Sequence, residues 1–255
     1  MLYRYAEHAL VVVALATLAT RPLRDWLHNT NMGTLYLVRH GQASFGAADY
    51  DNLSPLGHQQ AVRLGEYFKS KGQQFDSVLM GSLRRHAQTY TGICQGAGFN
   101  QEALLWPGLN EYDSEAVIKA VHDEPLSTER NPETYRHHFR LLKLGLAAWM
   151  NGSVQPAGMP SYPQFVHGVT SALDHVREKF CAKEHSKVLI VSSGGPISTA
   201  VGHILGTSPE ITTELNLRIR NSSLTEFVFN PKRHMLVTYN TLPHLEDLPD
   251  WVTYA

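Results

Sequence analysis

Residues 34–41 read Thr34-Leu35-Tyr36-Leu37-Val38-Arg39-His40-Gly41. Leucine, tyrosine, leucine and valine in succession, behind a threonine, have the composition of a buried strand. The run stops on a cation, an imidazole and a glycine. Residues 187–196 repeat the design: Lys187-Val188-Leu189-Ile190-Val191-Ser192 leads into Ser193-Gly194-Gly195-Pro196. Strands covered on both faces read as continuous apolar runs, as in parallel sheets.

Outward from these strands, the pattern alternates strand and helix. Ser54-Pro55 opens a helix, with a preferred N-cap and a preferred first residue. It runs to about Lys71 and stops at Gly72. Asp76–Met80 reads as a strand. Leu83 to about Gln95 reads as a helix ended by Gly96 and Gly98. A mostly helical block from Ser114 to Met150 has Glu133–Trp149 as its clearest piece. The Gly- and Pro-rich stretch 151–160 is a loop. Helices follow at Tyr162 to about Lys183 and at Pro196–Leu205. Ser223–Phe229 and Met235–Tyr239 are strands around an Asn230-Pro231-Lys232 turn. The expectation is an α/β three-layer sandwich, with a mostly parallel central sheet and helices on both faces. One domain spans 32–255, with a helical cap inserted at about 112–162.

Composition narrows the function classes. The chain has 255 residues, 22 Lys+Arg, 23 Asp+Glu and 14 His, and a formal net charge of -1. Its hydrophobic residues make up 43% and its charged residues 18%, so it is neither disordered nor marked by the basic excess of a nucleic-acid binder. Cys94 and Cys181 are too few for a disulfide framework and carry no zinc spacing. They read as buried thiols. His137 and His138 are neighbours that point apart on a helix, which argues against a metal pair. No metal is expected.

Residues 1–31 differ from the rest. Ala9–Thr20 is an almost unbroken apolar run of 12 residues. As a helix it would span only ~18 Å, short of the ~30 Å bilayer core, so no stable membrane span is expected. The segment reads as an extension ahead of Met32 or as a signal-like segment. The protein is expected to be cytoplasmic, or exported or anchored if this segment acts as a signal.

Chemistry gathers at strand ends, where open α/β sheets bind ligands. Arg39 and Arg85 would bring two forked cationic donors to neighbouring ends, which suits a phosphoryl group. Helix N-termini after Leu83 and Gly195 would add N–H donors. A neutral His40 could attack phosphorus. Glu111 could protonate a leaving alcohol and then activate water.

The chain resembles the histidine phosphatase superfamily, the phosphoglycerate-mutase-like enzymes. The likeness rests on LYLVRHG (Leu35–Gly41), LSPLGHQQA (Leu53–Ala61), SLRRHAQT (Ser82–Thr89), GLNE (Gly108–Glu111) and NSSLT (Asn221–Thr225), and spans roughly Leu35 to Leu245. The resemblance implies that His40 becomes a phosphohistidine. It also implies that Arg39 and Arg85 bind phosphate and that Glu111 is the proton donor. Gln42 and Ser44 would lie on the loop that contacts substrate, and Gly194 would lend its amide. No metal or organic cofactor is implied.

One position departs from the family pattern. Val191-Ser192-Ser193-Gly194-Gly195 places Ser193 where a second histidine is usual. Ser193 with the Gly194 amide could serve, or His86, His138 or His167 could supply the donor, or the site binds phosphate with little turnover. The leading expectation is hydrolysis of phosphate monoesters, with a small phosphorylated metabolite as partner. Phosphoglycerate-mutase-type phosphoryl transfer ranks lower, because GQASFGAADYDN after His40 lacks the W-N and G-W-x-D elements of the mutases. A low-activity phospho-ligand-binding protein is the third reading. A homodimer through paired sheet edges is left open.

Overall fold

A computed structural model describes residues 32–44, 51–127, 129 and 131–254. The expected extension or signal at 1–31 lies outside the described residues. Six strands form one sheet in the order β3-β2-β4-β1-β5-β6. They are β1 (Gly33–Arg39), β2 (Ser77–Met80), β3 (Leu104–Leu105), β4 (Lys187–Ser192), β5 (Leu224–Phe229) and β6 (His234–Thr241). The first four run parallel to one another, and β5 pairs antiparallel with both β1 and β6.

Alternation along the central strands sorts side chains into two layers, as the two-residue period of a strand requires. Tyr36 and Val38 of β1, with Leu189 and Val191 of β4, face one cluster. Helices α1 (Pro55–Ser70) and α2 (Arg84–Ala97) complete it with Leu64, Phe68, Tyr90 and Ile93. Leu35 and Leu37, with Val188 and Ile190, face the opposite cluster. There they meet α4 (Pro132–Met150), α5 (Tyr162–Phe180) and α6 (Gly194–Leu205). The three-layer sandwich follows directly from that alternation.

The inserted block is less continuous than expected. It holds a short helix α3 (Ser114–Lys119), begun by Asp113 accepting the Glu115 and Ala116 amides, and then α4 after Asn131. Leu141, Leu142, Leu146 and Trp149 of α4 join the same core as Leu35 and Phe227. The block is thus sealed to the sheet layer through a shared apolar interior. An additional helix, α7 (Pro209–Arg218), follows α6 and is capped by Ser208. Its Ser-Pro entry is the signal that marked α1. Cys94 and Cys181 are free and half-buried.

Topology decides which strand ends meet. Although β2 follows β1 in the chain, β4 inserts between them. The carboxyl ends of β2, β4 and β1 therefore stand side by side and carry Gly81, Ser193 and His40 into one place.

Candidate active site

Arg39 ends β1 and is buried; its Nη1 donates to the Ile219 carbonyl at 2.5 Å. The alternation that points Leu35 and Leu37 toward α6 also points Arg39 there. His40 follows, only 2% exposed, and its Nδ1 lies 2.7 Å from the Gly41 carbonyl oxygen. A carbonyl can only accept, so Nδ1 carries the ring proton and Nε2 keeps its lone pair. Burial, followed by Arg39, Arg85 and His86, holds the His40 pKa well below the usual imidazole value. The ring is therefore neutral near pH 7.

Backbone contacts fix that loop. The Gly41 amide donates to Thr89 Oγ1 at 3.1 Å and the Gln42 amide to Gln60 Oε1 at 2.8 Å. Gln60 in turn donates to the Trp251 carbonyl and to Thr253 Oγ1. A Cβ on Gly41 would come within 2.4 Å of the Gly57 carbonyl oxygen. The glycines of RHG and of LSPLGHQQA are thus two sides of one close backbone crossing.

Arg85 leaves the first turn of α2, buried, and pairs through Nη1 with Asp51 Oδ1 at 2.9 Å. The same carboxylate accepts the Arg84 amide at 2.9 Å. Asp51 was not singled out by sequence, since a loop carboxylate has no spacing signature. Its position ahead of the Ser54-Pro55 helix start was the only hint.

Glu111 enters from the turn after β3, held because Ser192 Oγ donates to the Leu109 carbonyl at 2.7 Å. Both carboxylate oxygens accept the Gly195 amide, at 3.1 and 3.2 Å. Burial raises the Glu111 pKa, opposed by the Gly195 amide and then by Arg85 and Arg39. A Cβ on Gly195 would lie 2.2 Å from Glu111 Oε1, so only glycine admits the carboxyl there.

Ser193 is fully buried at the start of α6, and its Oγ lies 2.7 Å from His86 Nε2. Of the three histidines weighed as a replacement donor, His86 is the one the fold brings in. Its ring centroid is 5.9 Å from that of His40. His138 on α4 and His167 on α5 form no hydrogen bond with the site residues described here. Gly194 packs against Ile219 and Asn216, with Arg39 Nε just beyond. Gln42 is engaged elsewhere: its side chain accepts from Ser54 Oγ at 2.7 Å. The Ser44 amide donates to the Asn52 carbonyl in the short bridge that pairs Ala43 with Leu53.

The arrangement is a neutral imidazole flanked by two buried guanidinium groups, with a buried carboxyl of raised pKa across from it. It can bind a phosphoryl group, accept it on nitrogen and supply a proton. Among the described residues, no helix is long and apolar enough to cross a membrane.

The profile of the histidine phosphatase superfamily (branch 1) matches residues 35–242. Among solved structures, a phosphoglycerate mutase from Bacillus anthracis is similar at TM-score 0.61 and 18% identity, over 85% of this chain and 96% of that one. A phosphoserine phosphatase from Entamoeba histolytica is similar at TM-score 0.55 and 23% identity, over 84% and 99%. At such identities the likeness establishes the fold. A broad-specificity phosphatase of Saccharomyces cerevisiae is 33% identical over 67 residues, 24% of this chain. A 2,3-bisphosphoglycerate-dependent phosphoglycerate mutase of Chelativorans is 34% identical over 88 residues, 32% of this chain. These matches span 29% and 43% of the two curated relatives' own lengths.

Proposed function

The chain belongs to the histidine phosphatase superfamily, and from that premise we propose that it hydrolyses phosphate monoesters through a phosphohistidine at His40. Nε2 of His40 attacks phosphorus in line with the ester oxygen. Arg39 and Arg85 hold the phosphoryl oxygens through forked donors. Glu111, protonated, gives its proton to the departing alcohol oxygen. The resulting carboxylate then takes a proton from the water that attacks the phosphohistidine, which releases inorganic phosphate and restores His40 and Glu111. Ser193 contributes a hydrogen bond to the same phosphoryl group. The substrate class is a small phosphorylated metabolite, in keeping with the phosphatases and mutases among its relatives.

One observation carries this reading: the His40 tautomer. Its Nδ1 bond to the Gly41 carbonyl and its depressed pKa leave Nε2 as a neutral nucleophile between two phosphate-binding cations. The test is phosphate release from p-nitrophenyl phosphate and a panel of phosphorylated metabolites, by wild type and His40→Ala. The expected result is turnover that His40→Ala abolishes, with an acid-labile phosphoryl group trapped on wild type alone. Equal rates in the two proteins would overturn it. So would phosphoglycerate interconversion, primed by a bisphosphate, that outpaces hydrolysis.

A further inference from the structure

Among the described residues, three that are not glycine have a positive φ: His185, Ser222 and Asn240. Asparagine tolerates that conformation, and His185 lies on the surface. Ser222 is fully buried, and its φ is 56°. It is the third residue of a turn closed by the Ser223 amide on the Arg220 carbonyl, a position where a positive φ ordinarily calls for glycine. The turn meets the loop of the nucleophile. The Ser222 amide donates to the His40 carbonyl at 3.0 Å, and the Ser223 carbonyl accepts the Arg39 amide at 3.0 Å. The other side of the same His40–Gly41 peptide is held by the Gly41 amide on Thr89 Oγ1. The plane of this peptide sets where the His40 side chain and the Gly41 carbonyl stand, and the Nδ1 bond joins those two. A serine in this conformation carries strain that glycine would not. What serine adds is its hydroxyl, 2.9 Å from Nε2 of His244, a buried histidine brought by the turn Pro243–Leu245.

We propose that Ser222 and His244 are a positioning pair for the nucleophile: their side-chain hydrogen bond holds the Ser222 backbone in its left-handed conformation, which aims the amide at the His40 carbonyl and fixes the peptide that orients the His40 ring. This rests on the phosphohistidine reading above. The anchor works with the proton on either atom, because a hydroxyl both donates and accepts and an imidazole nitrogen does one or the other. Strained backbone persists only where its surroundings over-determine it. Here the preceding residue is tied down too: the Asn221 amide donates to the Thr253 carbonyl, and Asn221 Oδ1 accepts from Thr253 Oγ1. Burial, followed by Arg63, pushes the His244 pKa down to about 3, so the ring is neutral wherever the nucleophile is. Both side chains act through the His40 backbone.

The experiment starts from Ser222→Ala and Ser222→Gly. Both remove the hydroxyl, but only glycine takes the left-handed conformation without strain, so the difference between them isolates the backbone. His244→Phe removes the hydrogen bond, and His244→Gln keeps a polar group at the reach of Nε2. Hydrolysis of p-nitrophenyl phosphate is read with inhibition by orthovanadate and by inorganic phosphate, and thermal unfolding checks the fold. Ser222→Ala and His244→Phe should each lose about 10- to 100-fold in kcat, with KM changed far less. Vanadate, which takes the nucleophile into its coordination shell as the transition state does, should inhibit more weakly in step with kcat. Inorganic phosphate, held by Arg39 and Arg85, should inhibit as in wild type. Ser222→Gly and His244→Gln should each stay within a few-fold of wild type. In the Ser222→Gly background, His244→Phe should cost little more.

Equal kcat in Ser222→Ala and Ser222→Gly would overturn the proposal. If Ser222→Ala does not fold, the His244 variants decide: a loss in Phe with retention in Gln supports the pair, and equal rates reject it. Failure of the underlying reading looks different: wild type would show no hydrolysis that His40→Ala removes. The NMR resonances of the His40 ring nitrogens, assigned by their absence in His40→Ala, then still test the pair. An Nδ1–H signal that shifts in Ser222→Ala and His244→Phe and returns in Ser222→Gly supports it. A signal that stays put in all three rejects it.

Discussion

The Glu111 carboxyl group sits over the first turn of α6, with both oxygens within 3.2 Å of the Gly195 amide nitrogen. The helix end that could bind a phosphate is thus occupied by the acid, which holds Glu111 in one place while burial keeps its proton affinity high. Anions at helix N-termini are favoured by the dipole. Here that preference opposes the burial effect, and the outcome is a raised pKa.

Glu111 must hold a proton to act as an acid, and its pKa is raised, so kcat for an alkyl phosphate should fall as pH climbs through the folded value. Glu111→Gln should remove that basic limb and lower kcat by about 10²- to 10⁴-fold, the usual range for general acid catalysis. A good leaving group such as p-nitrophenolate should suffer less. A pH–rate profile with both substrates checks this, and an unchanged basic limb in Glu111→Gln would reject the assignment.

Gly195→Ala introduces a Cβ 2.2 Å from Glu111 Oε1. The carboxyl must then leave its seat, and misplacement by about 1 Å can cost roughly 10²-fold. The expected variant folds, binds vanadate within a few-fold of wild type and loses most of its kcat. Full activity would show that the Glu111–Gly195 contact does not matter to turnover.

Ser193→His, made alone, brings a second imidazole to a fully buried position where His86 already stands 2.7 Å from Oγ. Overpacking of this kind costs about 1–3 kcal/mol. The single variant should be less stable and less active. Adding His86→Ala should restore both. Urea unfolding and kcat for the single and double variants decide the matter.

Buried histidines should make the fold acid-sensitive. Burial depresses His86 and His244 to about 3 and His234 to about 4. Below the unfolded value near 6.5 the unfolded chain binds protons that the folded chain refuses, so stability falls as pH drops. The slope is about 1.4 kcal/mol per pH unit for each such group. Glu111, raised in the fold, works in the opposite direction between its unfolded and folded values. Urea midpoints should drop between pH 7 and pH 5.5, and His244→Gln should flatten the drop. A flat profile for wild type would count against these burial assignments.

Trp149 is 2% exposed, and its Nε1 donates to the Pro160 carbonyl at 3.1 Å. It anchors the inserted block to the shared core. Trp149→Ala should cost about 3–5 kcal/mol, measured by denaturant unfolding. A loss confined to the block would indicate that it unfolds separately from the sheet.

By itself, the sequence carried the elements whose signals are local. The apolar runs ending at Arg39 and Ser192 determined central strands. Ser54-Pro55 determined the start of α1, and the order of motifs determined the family. Ser208-Pro209 carries the same local signal for α7, while the two-residue β3 is too short for any period to show. What only tertiary structure decided is adjacency. Burial of apolar faces on both sides set β4 between β1 and β2, and that insertion brings His86 to Ser193. A hydrogen bond across 107 positions of chain has no periodicity and no local propensity behind it. Asp51 on Arg85, Glu111 on Gly195 and the Gly41–Gly57 crossing share that origin. Each is a long-range contact fixed by how the layers pack, because packing determines which residues distant in sequence come within a hydrogen bond of one another.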